Sequence, residues 1–100
     1  MSYAVTVSLD IENGETEDYE AIYAYFEKIG LHRKIKGEKE HTLPTTTLYG
    51  VFDGQSSVAV RDYISEQTEL AYKEAKVSGK VFIATDGVDH TWGIRYPKHA

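Results

Sequence analysis

Residues 3–11 read YAVTVSLDI and residues 18–30 read DYEAIYAYFEKIG. In the first stretch Tyr3, Val5, Val7, Leu9 and Ile11 alternate with Ala4, Thr6, Ser8 and Asp10. That is the period-two pattern of a strand with one apolar face and one small, polar face. In the second, Tyr19, Ile22, Tyr23, Phe26 and Ile29 recur at helical spacing, and Gly30 supplies the stop. Between them lies NGETED, a turn in which Thr16 is the expected N-cap. Glu17 and Asp18 then occupy the first helical turn, where the helix dipole favours each acid by about 0.3–1 kcal/mol.

Working outward, LHRKIKG (31–37) reads as a basic strand and EKEHTLP (38–44) as a polar hairpin tip, with Pro44 limiting further pairing. TTTLYGVFDG (45–54) is rich in β-branched and aromatic residues and reads as the third strand. Ser56 or Ser57 caps a second helix through residues 58–76, with Val60, Tyr63, Ile64, Leu70 and Ala71 as its buried stripe and Gly79 as its end. KVFIAT (80–85) and HTWGIRYP (90–97) are expected to be two last strands joined across DGVD.

The order β-α-β-β-α-β-β makes residues 1–100 a single α+β domain. It predicts a ferredoxin-like βαββαβ plait with an added C-terminal strand, an antiparallel sheet carrying both helices on one face. Val5, Val7, Leu9, Ile22, Phe26, Ile64 and Leu70 are the expected core. The other face has no helix to cover it. Thr6 and Ser8 from the first strand, with Tyr49 and Val51 from the third, form the expected self-association surface of a homodimer.

Bulk properties narrow the chemistry. The chain has no cysteine, which removes thiolate catalysis and Cys-based zinc sites and suits a reducing, cytoplasmic setting. Nothing approaches 18 consecutive apolar residues, so no membrane partner is expected. A net charge of −5 argues against non-specific binding to a phosphate backbone. The eight tyrosines suit an interface or a mixed core.

Two stretches carry a family likeness. VTVSLDIENG together with YEAIYAYFEKIGLHRK, and then TLYGVFDGQSSVAVRDYI, resemble the first strand, first helix, third strand and second helix of the small CRISPR-associated adaptation nucleases (the second Cas protein). They are similar also to the relatives of that family, virulence-associated protein D and the GhoS-type antitoxin ribonucleases. The resemblance implies a symmetric dimer in which the aspartate ending strand one, here Asp10, is both the metal-binding and the catalytic residue. Two copies of Asp10 would hold one Mg²⁺, which lowers the pKa of a bound water for cleavage of RNA.

The remaining residues are weighed on their own chemistry. Asp10 also reads as a strand-end acid that starts a turn. Glu12 would lie about 6.6–7 Å further along the same face, too far to share one ion with Asp10 unless the loop folds back. DIENGE lacks the register of a calcium loop. His32, His41, His90 and His99 have no zinc-site spacing, although His32 and His90 could assist proton transfer near neutral pH. Arg33, Lys34 and Lys36 form the expected nucleic-acid contact, together with Lys39, or simply an edge strand kept soluble by charge. Trp92, Arg95 and Tyr96 suit base stacking or packing on a neighbour. Two functions follow: a dimeric, metal-dependent endoribonuclease centred on Asp10, or a non-catalytic interaction module, an antitoxin or defence-associated adaptor, that binds itself or a protein partner.

Overall fold

The structure, a computed structural model, describes residues 1–87 and 91–98. Its elements are β1 (Ser2–Ile11), α1 (Thr16–Ile29), β2 (Lys34–Lys36), β3 (Glu40–Thr42), β4 (Thr47–Asp53), α2 (Ser57–Ala75) and β5 (Gly79–Asp86). β1 is the middle strand of a three-stranded antiparallel sheet in the order β4-β1-β5. β2 and β3 form a separate short hairpin. The hairpin joins the β4 edge through one bridge, where His32 and Tyr49 exchange N–H···O bonds of 2.8 and 2.9 Å. The α+β plait is therefore present, with its second strand attached to the sheet at a single point.

The alternation in β1 builds the core. Tyr3, Val5, Val7, Leu9 and Ile11 are buried, together with Ile22 and Phe26 from α1 and Val60, Ile64 and Ala71 from α2. Both helices thus cover one face of the sheet, and Tyr25 on α1 donates a 3.0 Å hydrogen bond to Gln67 on α2. Gly30 closes α1 at φ 104°, a left-handed conformation open to glycine at little cost. No helix among the described residues is long and apolar enough to cross a membrane.

Four expectations change. The first helix is capped at Glu15, whose N–H donates to Asp18 Oδ2 at 2.9 Å, and Thr16 is already its first residue. The second helix ends at Ala75 on a left-handed Lys76 (φ 59°), before Gly79. Gly79 instead opens β5, where a Cβ would overlap the Asp10 carbonyl. Leu70 and Tyr63 are exposed, while Thr68 and Tyr72 are buried. The stripe advances in steps of four from Val60 through Ile64 to Thr68, and the Thr68 hydroxyl becomes tolerable in the core by donating to the Ile64 carbonyl at 2.8 Å.

The fourth change concerns the C-terminus. Residues 91–98 form no strand, whereas the segment read as a polar tip contains β3. Side chains rather than a ladder hold the C-terminal segment to the hairpin. The Trp92 ring meets His41 edge-on with centroids 6.3 Å apart, and the Tyr96 hydroxyl lies 2.6 Å from His41 Nδ1. His90 and His99 lie outside the described residues.

Candidate functional site

Asp10 sits at the exposed end of β1, and two tyrosines hold it. Tyr19 on α1 accepts the Ile11 N–H at 3.0 Å and donates to Asp10 Oδ1 at 3.4 Å. Tyr72 on α2 donates to the Asp10 carbonyl at 3.0 Å. Burial, followed by the nearby Tyr19, Asp10 and Tyr23, pushes the Tyr72 hydroxyl up to about 12, so it remains a donor at any ordinary pH. Glu12 begins the following turn, and its backbone N–H donates to the Ser78 carbonyl at 2.7 Å.

Mg²⁺ seeks near-octahedral oxygen ligands at about 2.0–2.1 Å. Among the described residues no three His, Asp or Glu side chains gather closely enough to hold a metal ion. One chain thus offers the Asp10 carboxylate without two further such side chains beside it.

The face of the sheet away from the helices gathers all four residues expected there. Thr6 stands opposite Tyr49, Ser8 opposite Thr47, and Ala4 opposite Val51. β5 completes the face with Lys80, Phe82, Ala84 and Asp86, opposite Asp10, Ser8, Thr6 and Ala4. The sequence reading placed a strand at KVFIAT without assigning its residues to faces. The signal was present: from Lys80 to Asp86 every second residue belongs to this face.

The face is uneven. Phe82 is 67% exposed and Val51 52%, whereas Ala4 is only 5% exposed. At the Ala4 end, Trp92, Gly93, Ile35, Leu43 and Pro44 wall a groove of about 440 Å³. Its floor holds Thr6, Tyr49, Ala84 and Asp86, and among the described residues Asp86 is the only charged one lining it. Burial, with the Asp86 carboxylate adding to it, raises the Tyr49 pKa.

Arg33, Lys34 and Lys36 do come together, in a cleft of about 660 Å³ between the end of α1 and the hairpin. Glu27 and Glu40 share that cleft. His32 Nδ1 contacts Glu27 Oε1, and the Arg33 guanidinium lies over the Tyr23 ring, 4.3 Å from its centroid. Within β2, Lys34 and Lys36 are exposed and alternate with the buried Ile35, which lies opposite His41. Trp92 and Tyr96 meet the hairpin at His41. Lys34 and Lys36 therefore project from the hairpin on the row that alternates with Ile35, while the aromatics expected to stack bases sit on the C-terminal segment and meet the hairpin at His41.

No protein-family model, no curated protein and no solved structure gives a significant match to this chain.

Proposed function

We propose that this protein is a non-catalytic interaction module that pairs with a second copy of itself through the open face of its sheet. The observation that carries the reading is the exposure of Phe82 and Val51 on a face that no helix covers. Burying one such side chain fully contributes about 1.5–3 kcal/mol, and a two-fold axis counts each contact twice. The Tyr19 hydroxyl, 3.4 Å from the Asp10 carboxylate, points the same way, because it gives that side chain a structural partner. An antitoxin-type or defence-associated adaptor fits a module of this kind.

Sedimentation equilibrium at micromolar concentration tests it. Twice 11.3 kDa is the expected mass, and Phe82→Glu is expected to halve it. A wild-type monomer, or a Phe82→Glu dimer, overturns the reading.

The metal-dependent endoribonuclease is the second reading, favoured by two placements. The Asp10 carboxylate is exposed at the rim of the same open face, and Arg33, Lys34 and Lys36 share one cleft. A bound Mg²⁺ would supply an activated water; the chain would supply Asp10 from each copy and the cationic cleft to hold RNA phosphates. Cleavage of single-stranded RNA only with divalent metal, abolished by Asp10→Asn in an intact dimer, would establish this reading over the first. No cleavage with any divalent metal removes it.

A further inference from the structure

The open face is not symmetric along its strands, and its asymmetry matches itself in reverse. Lys80 stands at the bare end of β5 and Asp86 at the walled end. At about 3.3 Å per residue they are separated by about 20 Å. Neither makes an ion pair among the described residues, although Lys80 has Asp10 as its cross-strand neighbour on the same face. Phe82 is 67% exposed between them, while Ala84 and Ala4 line the same groove as Trp92 and Gly93.

Two sheets that face each other are related either by an axis along the strands or by one across them. An axis along the strands brings like ends together: Asp86 towards the partner's Asp86, and the raised Trp92 end against its own copy. An axis across the strands at the level of Ile83 exchanges the ends. Lys80 then lies opposite the partner's Asp86, Phe82 opposite the partner's Ala84, and Thr6 opposite the partner's Ser8, by the register of β1 and β5. Opposite charges meet, and a bulky ring meets a small residue. The bare end of one copy also receives the raised end of the other.

Building on the self-pairing reading above, we infer that the groove over Asp86 is completed by the Lys80 side chain of a second copy, in a dimer whose two-fold axis crosses the strands at Ile83. Facing sheets pack about 10 Å apart, a gap that two facing side chains span, so the Lys80 stem reaches the groove over Asp86. The ammonium ends against Asp86, with the Tyr49 and Thr6 hydroxyls on the same floor. In this register Asp10 lies opposite the partner's Ala4. The two Asp10 carboxylates are then about 20 Å apart along the strands, too far to share one ion.

The test is a charge exchange followed by sedimentation. Lys80→Glu and Asp86→Lys are each expected to raise the dimer Kd at least about tenfold, and the double variant to restore it to within about threefold. Spin labels on Asp10→Cys, in a chain otherwise free of cysteine, are expected to report an intercopy distance of about 20 Å or more. Single variants that dimerise like the wild type overturn the clasp, as does a label distance near 10 Å, the spacing of facing sheets. Both results leave open-face pairing standing if Phe82→Glu still dissociates the dimer. A wild-type monomer removes both proposals together.

Discussion

Tyr72 and Tyr19 close the end of β1 onto the two helices, and they explain why an acid at position 10 is compatible with a rigid strand end. Asp10 is legible from sequence as a strand-end carboxylate. Its tyrosine partners are not, because they lie 9 and 62 residues away and only packing brings them in. Removing the Tyr72 hydroxyl in Tyr72→Phe should destabilise the protein by about 0.5–1.5 kcal/mol near neutral pH, the usual net worth of such a hydrogen bond. The folded-state pKa of Tyr72, about 12, lies above its ordinary value of 10.0. The stabilisation is therefore complete below pH 10 and is lost as the pH rises from 10 through 12. Urea titrations of the two proteins across that range should show their stabilities converging. A gap that stayed constant would mean that the phenol does not titrate in this window.

The helices show how far periodicity reaches. Ser56 was readable as a cap, and its Oγ accepts the Ala59 N–H at 3.0 Å. Of the α2 stripe, Val60, Ile64 and Ala71 were readable, and Tyr63 and Leu70 were not. Beyond Ile64, apolar character favoured Leu70, whereas the stripe had advanced by two steps of four to Thr68 and then to Tyr72, polar residues whose hydroxyls find carbonyl partners. The α2 terminus was misplaced because a lysine does the work usually given to glycine. Lys76 adopts φ 59° and donates its N–H to the Lys73 carbonyl at 3.2 Å. Lys76→Gly relieves the Cβ crowding of the left-handed conformation and should stabilise the protein by about 0.5–1 kcal/mol despite the extra freedom of the unfolded chain. Thermal unfolding followed by circular dichroism measures this directly. A lower midpoint would show that the lysine stem makes contacts worth more than the strain.

At the scale of the whole molecule, the β2–β3 hairpin depends on the C-terminal segment. One bridge ties the hairpin to β4, and the edge of Trp92 rests on Gly37 and His41. Trp92→Ala should accelerate amide exchange at Gly37 and Leu43, whose N–H groups bond within and beside the hairpin, and leave Val7 in β1 unchanged. Equal protection in both proteins would show that the hairpin stands without its aromatic brace.

The period-two alternation of β1, the helical spacing of α1 and the turn residues between them are local properties. Neighbouring side chains dictate them through backbone geometry, so the plait and most of its core follow from the order of residues alone. Thr6, Ser8, Tyr49 and Val51 were assignable to one face for the same reason. Alternation also puts Lys80, Phe82 and Asp86 on one face of β5, but that this is the open face required the register of β5 against β1, which is a long-range pairing. The fate of residues 91–98 required it too. A strand needs a partner with free N–H and C=O groups, and these side chains instead pack against a hairpin more than 50 residues earlier, the Tyr96–His41 contact being 55 residues apart. Such contacts have no local signature, and packing of the whole chain sets them.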